Sequence, residues 1–180
     1  PRPARRRRLN PVPTLTKVYG EGMELSDNLK PVEALVGTWE GTGVGVYSTI
    51  TTFEYREEIT FTNIGKPFLH YIQRTWNTEG APMHTETGYL RVPGNGTIEF
   101  ILALPTGQTE LLEGTIEDTG AGFHMELTGK VQNSSTAKHI DATERTFTLD
   151  ADHLRSTMGM AAVGVPMENH LTAKYTRKDS

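Results

Sequence analysis

The sequence predicts an all-β protein: one closed, antiparallel, up-and-down barrel of about ten strands, with a short helix near its N-terminus. Segments that alternate apolar and polar residues recur from residue 37 to the C-terminal end, and this period is typical of half-buried strands. Short turns rich in Gly, Pro and Asn separate these segments. Only one segment, close to the start, has a helical pattern. A sheet of so many strands is expected to close on itself, because closure removes its edges.

The chain divides into an N-terminal extension and a single domain. Residues 1–25 carry prolines at positions 1, 3, 11 and 13 and an arginine-rich run, Arg2–Arg8. Because this segment has little apolar periodicity, we predict an extended, mobile leader. Residues 26–180 form the predicted barrel domain, and the whole length of 180 residues suits one domain with a sizeable core.

The barrel domain is predicted to begin with a helix and a glycine-rich strand. Capping residues from Ser26 onward start the helical pattern, which ends before Gly37. In the strand 37–45, glycine occupies positions 41, 43 and 45, so that one face stays bare and another group packs against it. We expect Trp39 to close one end of the core.

Nine further strands are predicted to follow, joined by short turns. Their turns carry the Asn, Gly and Pro residues that favour hairpin connections. The predicted strands cover residues 53–62, 67–76, 83–91, 97–103, 109–116, 123–128, 137–149, 153–162 and 168–177. Neighbouring strands in such a meander run antiparallel.

Composition and charge exclude several classes of protein. No run of about 18 apolar residues is present to span a membrane, and the N-terminus lacks the apolar core of a secretory signal, which predicts a cytoplasmic protein. The absence of Cys excludes disulfides and thiol chemistry. Without the five arginines of Arg2–Arg8 the formal net charge changes from −4 to −9. Such an acidic body is not typical of a nucleic-acid-binding domain, so we expect at most weak nucleic-acid contact through the tail.

Few residue patterns indicate catalysis by side chains alone. The chain has no Gly-x-Ser-x-Gly motif, and its six histidines lack the spacing of a helical zinc site. Glu57 and Glu58 face opposite sides of a strand, which does not suit a paired-carboxylate site. His84 and Glu86 share a face, either as a fragment of a metal site or as a structural ion pair. The methionines in the strands either fill the core or line a cavity for a flat cofactor.

His170 lies in the last predicted strand. A single imidazole that lines the cavity of a barrel can hold a haem iron. A lone histidine in a strand is, however, more often a hydrogen-bonded structural residue. Alternation does not show which way His170 points, because both faces of residues 168–175 mix polar and apolar side chains.

Several motifs occur in a specific order along about residues 30–177. The stretch Gly37-Thr-Trp39-Glu-Gly41-Thr-Gly43 matches the Gly-x-Trp-x-Gly-x-Gly signature of the nitrobindins, and the chain resembles that family. The match continues through Tyr47-Ser-Thr49-Ile50, Phe53-x-Tyr55-x-Glu57-Glu58, Gly65-Lys-Pro67-Phe, Gln73-Arg-Thr-Trp76, Pro82-Met-His84-x-Glu86, Gly88-Tyr-Leu-Arg91, Pro105-Thr-Gly107, Met160-Ala-Ala-Val-Gly164 and His170-Leu-x-Ala173. The basic N-terminal extension lies outside it.

The resemblance implies a fold, a cofactor and an activity. Nitrobindins are ten-stranded barrels, related in shape to fatty-acid-binding proteins and lipocalins, with haem b near the barrel mouth. The resemblance places the axial ligand of ferric haem at His170 and a haem contact at Thr49, and it places Met83, His84 and Met160 in the haem cavity. It implies a haem-dependent peroxynitrite isomerase that binds NO, converts peroxynitrite to nitrate and so limits nitration by reactive nitrogen species.

Two departures from the family follow from the residues. Asn169 and Thr172, which flank His170, differ from the His-rich versions of the family, and this predicts an altered haem affinity with the ligand retained. Ser48 replaces the proline that the family usually has before Thr49, which predicts a less fixed loop.

Two alternative functions also follow from the residues. A non-catalytic barrel that carries an apolar ligand such as a fatty acid is one alternative, and an inward cluster such as Arg145 with Tyr55 would favour it. A haem or NO sensor module is the other. The expected partners are NO and peroxynitrite, without a membrane, and a homodimer is compatible with the sequence.

Overall fold

The computed structural model describes residues 23–178, and the predictions made for Arg2–Arg8 lie outside them. The described part of the chain contains a 3-10 helix, Asp27–Leu35, and ten strands. The strands are β1 Gly37–Gly45, β2 Phe53–Asn63, β3 Phe68–Trp76, β4 Pro82–Gly94, β5 Thr97–Leu104, β6 Gln108–Asp118, β7 Gly122–Asn133, β8 Ile140–Asp150, β9 His153–Ala162 and β10 Val165–Arg177.

The ten strands form one closed antiparallel barrel in which each strand pairs with its neighbours in sequence. The last strand, β10, returns to pair with β1, so that Gly43 of β1 lies opposite Ala173 on one side and Tyr55 on the other. Among residues 23–178, every strand therefore has a partner on both sides. The predicted fold class, an up-and-down barrel of about ten strands, is confirmed.

The helix lies across one end of the barrel. Its apolar residues Leu29, Val32 and Leu35 are fully buried. Trp39 is buried beside it and donates a hydrogen bond from Nε1 to the carbonyl oxygen of Leu35 at 3.0 Å, and the guanidinium of Arg177 lies 4.3 Å from the centre of the Trp39 ring. The helix was predicted at this place and Trp39 was expected to close an end of the core, as observed.

The bare face of β1 accommodates aromatic rings from β2. A Cβ atom on Gly43 would lie 2.3 Å from the ring of Tyr55, and one on Gly45 would lie 2.2 Å from the ring of Phe53. Such separations are far below van der Waals contact, so these positions accept only glycine unless the rings move. The glycines therefore set the positions of two aromatic side chains inside the barrel.

Within residues 23–178, no helix has the length and apolar character needed to cross a membrane.

Candidate functional site

A cavity opens at the end of the barrel opposite the helix, with a volume of about 290 Å³. Most of its wall surface is apolar, although eight of the fifteen lining side chains are polar. This composition is typical of sites for small molecules and cofactors. The apolar lining comprises Phe53, Met83, Leu104, Ile140, Met158, Met160 and Leu171, and the polar lining comprises Tyr55, Gln73, Thr75, His84, Glu86, Thr106, Arg145 and His170.

A β-bulge in β10 directs His170 into this cavity. Asn169 pairs with Gly159 and Leu171 pairs with Met158, so that His170 is an extra residue opposite two consecutive residues of β9. Strict alternation would turn His170 and Leu171 to opposite faces, yet both line the cavity. Bulges commonly redirect a side chain next to a functional site, and here the bulge decides the direction that alternation left open.

The imidazole of His170 is fixed by its surroundings. Its Nδ1 lies 2.8 Å from the carbonyl oxygen of Val46. Because a carbonyl only accepts, Nδ1 carries a proton, and in the neutral imidazole the lone pair is therefore on Nε2. The ring of Tyr47 packs against the imidazole at a centroid distance of 5.3 Å and an angle of 67°, and the Tyr47 hydroxyl donates to the carbonyl oxygen of Met160 at 3.3 Å.

These features match the needs of a haem. A single neutral nitrogen held in one orientation is the proximal ligand that haem iron takes in many proteins, and a carbonyl acceptor on the second ring nitrogen is the usual support of a metal-binding histidine. The methionine and aliphatic walls suit the apolar faces of a porphyrin. No cluster of three or more histidine or acidic residues that could hold a metal ion directly is present among residues 23–178.

Residues 28–177 match the family described as "THAP4-like, heme-binding beta-barrel domain". The chain belongs to this family. The resemblance to nitrobindins on which the sequence prediction relied is thereby confirmed.

Relatives that this chain is similar to carry an enzyme name. "Peroxynitrite isomerase 2" of Mycobacterium marinum is 45% identical over 157 residues, which cover 86% of this chain and 98% of the relative. "Peroxynitrite isomerase 1" of Mycobacterium tuberculosis is 42% identical over 160 residues, with coverage of 86% and 98%. The crystal structure of Rv2717c from M. tuberculosis superposes with a TM-score of 0.85 at 42% identity, covering 87% of this chain and all of that one.

Four of the five site residues predicted for this THAP4-like barrel line the cavity: Met83, His84, Met160 and His170. Burial lowers the pKa of His84 below its ordinary value, which favours the neutral imidazole. Thr49 lies in the exposed turn after Tyr47 and is not among the lining residues.

The loop that carries Thr49 is tied to β10. The backbone N–H of Ser48 donates to a carboxylate oxygen of Glu168 at 2.7 Å. A proline at position 48 has no N–H and could not form this bond. Ser48 was predicted to leave this loop less fixed than the proline of the family. In the structure Ser48 forms a hydrogen bond to β10 that a proline could not form.

The interior of this THAP4-like barrel also contains an ion cluster that the sequence prediction missed. Arg145 donates to both carboxylate oxygens of Glu86, at 2.7 and 2.9 Å, and to both of Glu110, at 3.0 and 3.1 Å. Burial alone would raise the pKa of Glu86, but the charge and hydrogen bonds of Arg145 hold it below its ordinary value. The partner of Glu86 is thus Arg145. Of the two alternatives considered for His84 and Glu86, a fragment of a metal site or an ion pair, the ion pair is not formed.

A second polar group lies beside this cluster. Glu57 is 6% exposed. It accepts hydrogen bonds from Gln73 Nε2 at 2.6 Å and from the hydroxyl of Tyr175 at 2.8 Å. Burial raises the pKa of Glu57 to about 7, although these two hydrogen bonds offset part of the effect. Glu58 faces the other way and pairs with Arg74, so the expected opposite directions of Glu57 and Glu58 are observed.

The signal for these interior polar residues was present in the sequence. Glu86 is in phase with the buried residues Leu90 and Val92 of β4, and Arg145 is in phase with Phe147 and Leu149 of β8. A charged residue at an inward position of a strand requires a buried partner. Searching inward positions for opposite charges would have found the pair.

Proposed function

We propose that this chain is a haem-dependent peroxynitrite isomerase whose haem b is held by His170. The proposal rests on membership of a haem-binding family and on relatives that are named peroxynitrite isomerase. The single observation that carries it in this structure is the orientation of His170, whose Nδ1 bonds to Val46 and whose Nε2 is left for a metal.

The chain contributes position and a dry environment to this chemistry. When bound, ferric haem supplies the iron at which NO binds and peroxynitrite is converted to nitrate. Peroxynitrite and nitrate have the same atoms and charge, so the conversion requires no external reductant and no net proton. His170, held by Val46 and Tyr47, fixes the group in one orientation, and the aliphatic walls exclude water from its faces.

Four further residues are proposed to contact the haem. Met83, His84 and Met160 line the same cavity as His170, and the methionines offer soft, adaptable surfaces to a porphyrin. His84 would meet the group as a neutral imidazole, because burial lowers its pKa. Thr49 is proposed to contact the edge of the haem from the turn that follows Tyr47.

The carrier alternative is disfavoured by the surroundings of Arg145. Arg145 and Tyr55 both line the cavity, which was the condition named for a fatty-acid carrier. The guanidinium, however, makes four hydrogen bonds to Glu86 and Glu110. A guanidinium that already faces two carboxylates is a poor partner for a third.

Hemin titration of the wild type and of His170→Ala tests the proposal. We expect the wild type to bind hemin stoichiometrically with a sharp Soret band, and His170→Ala to lose at least about tenfold in affinity, because the only proposed iron ligand is removed. His153→Ala is the matched control, since His153 is exposed at the start of β9. Equal hemin affinity in all three proteins would show that His170 is not the ligand.

The activity is tested on the hemin-loaded chain. The decay of peroxynitrite should accelerate in proportion to bound haem, with nitrate as the product. If the chain binds haem but does not accelerate the decay of peroxynitrite, it is a haem carrier or sensor module and not an isomerase. A cytoplasmic location, a homodimer and the division into residues 1–25 and 26–180 stay predictions.

A further inference from the structure

Thioether and imidazole side chains come together in the wall of the cavity. These are soft and borderline ligands, and thioether sulfur in particular selects cuprous copper among the biological metal ions. Glu86, the acidic residue of the lining, is already paired with Arg145, so the wall offers no free carboxylate to a hard cation. The thioethers belong to Met83, Met158 and Met160, and the imidazoles belong to His84 and His170.

The register of the last two strands places two of these methionines beside His170. Met160 pairs with Glu168 and Met158 pairs with Leu171, and the bulge residue His170 lies between these two levels. Side chains that face each other across antiparallel strands have Cβ atoms about 5 Å apart, and diagonal neighbours about 7–8 Å. Because methionine has three rotatable bonds, both thioether sulfurs are within reach of the imidazole.

The imidazole of His170 turns its free nitrogen toward these methionines. Val46 is the neighbour of His170 on the β1 side, since its backbone N–H donates to the carbonyl oxygen of His170 at 2.8 Å. The Nδ1 of His170 bonds to the carbonyl oxygen of the same Val46. The two nitrogens lie on opposite edges of the ring, so Nε2 points away from β1, toward β9 and the cavity. Met158 and Met160 lie on that side.

We propose that the haem-free chain binds one cuprous ion in this cavity, with Nε2 of His170 and the thioether sulfurs of Met158 and Met160 as its ligands. Three neutral, mostly soft ligands suit this monovalent ion. Zinc is disfavoured, because its sites use thiolate, imidazole and carboxylate ligands and are usually four-coordinate. The inference rests on the strand register and on the direction of His170, and not on the function proposed above.

Competition with a chromophoric chelator of cuprous copper, bicinchoninate, tests the proposal. The full chain is prepared without haem and is titrated without oxygen in the presence of a reductant. We expect it to withdraw one equivalent of Cu⁺ from the chelator, and we expect no stoichiometric uptake of Zn²⁺ at the same concentrations. A chain that leaves the copper with the chelator, or that binds Zn²⁺ as tightly as Cu⁺, would overturn the proposal.

Conservative variants assign the copper to its ligands. Met158→Leu and Met160→Leu keep the volume of the side chain and remove one sulfur. Each should weaken Cu⁺ binding at least about tenfold, a loss that even an outer-shell partner of a metal can cause. Met167→Leu is the matched control: Met167 is half-buried on β10 but does not line the cavity, and its sulfur lies 3.1 Å from the position of a Cβ on Gly159.

The comparison of these variants is decisive. Unchanged Cu⁺ affinity in Met158→Leu and Met160→Leu, or an equal loss in Met167→Leu, would show that the register of β9 and β10 does not build the site. The copper and hemin titrations fail separately. A chain that binds Cu⁺ but no hemin contradicts the function proposed above and keeps the copper site, whereas a chain that binds only hemin contradicts the copper site alone.

Discussion

At the scale of single residues, Glu57 differs from the other two buried carboxylates, Glu86 and Glu110, in its hydrogen-bond partners. Its carboxylate is buried and is not paired directly with a cation, whereas Glu86 and Glu110 share Arg145. Two neutral donors stabilise its charged form less than a guanidinium would. Folding therefore raises the pKa of Glu57 to about 7, from an ordinary value of 4.5.

This shift predicts how Glu57 affects stability with pH. Because the folded-state pKa is the higher one, the folded protein binds more protons between pH 4.5 and 7, and stability falls as pH rises through this window. Glu57→Gln should remove a penalty of up to about 3 kcal/mol at pH 8 and little below pH 4.5. Urea unfolding at several pH values measures it, with the exposed Glu54→Gln as control. A difference between wild type and Glu57→Gln that does not change with pH would contradict this prediction.

At the scale of elements, the bulge in β10 divides the last strand into a regular and an irregular part. β9 and β10 pair regularly from Leu171↔Met158 to Thr176↔His153, and register shifts occur between Asn169 and Leu171 and between Val165 and Glu168. The regular part builds the barrel wall with Ala173 and Tyr175 inside. The irregular part brings His170 to the cavity.

Removal of the bulge should separate haem binding from folding. Deletion of Asn169 restores alternation across β9 and turns His170 out of the cavity. We expect this variant to keep its β-sheet circular dichroism and to lose the Soret band on addition of hemin, although His170 is retained. Asn169→Ala, which keeps the number of residues, should bind hemin as the wild type does. Hemin binding by the deletion variant would mean that the bulge does not position the ligand.

The strand order followed from alternation and turn residues, because each hairpin is encoded locally by about ten residues. The direction of His170 could not be predicted in this way, since a bulge arises from the mismatch between two strands and is invisible in either one alone. Met83, His84 and Met160 were placed in the cavity through the family motifs. Gln73 was present in those motifs, but its unpaired oxygen became evident only from its distances to other strands.

At the scale of the whole molecule, the cluster of Glu86, Arg145 and Glu110 connects β4, β8 and β6 through the interior of the barrel. A hydrogen bond from Thr143 to Glu110 at 3.0 Å completes it. These three strands are not neighbours in the sheet, so the cluster ties together parts of the wall that backbone hydrogen bonds do not join.

Loss of the cation from this cluster should destabilise the entire barrel. Arg145→Met leaves two buried carboxylates without a counter-charge and is expected to lower the free energy of unfolding by about 3–5 kcal/mol. The triple variant Glu86→Gln, Glu110→Gln, Arg145→Met should recover much of this loss, because no buried charge then stays unpaired. Urea unfolding at pH 7 gives the comparison. If Arg145→Met lowers the free energy of unfolding by less than about 1 kcal/mol, the cluster stabilises the fold no more than a surface ion pair does, and the prediction is wrong.

The helix and Trp39 close the barrel at the end opposite His170, and this affects how small molecules enter and leave the cavity. A barrel that is closed at one end has a single opening, so substrate and product must pass through the same opening one after the other. The rate of turnover would then be limited by how fast the product leaves through this opening.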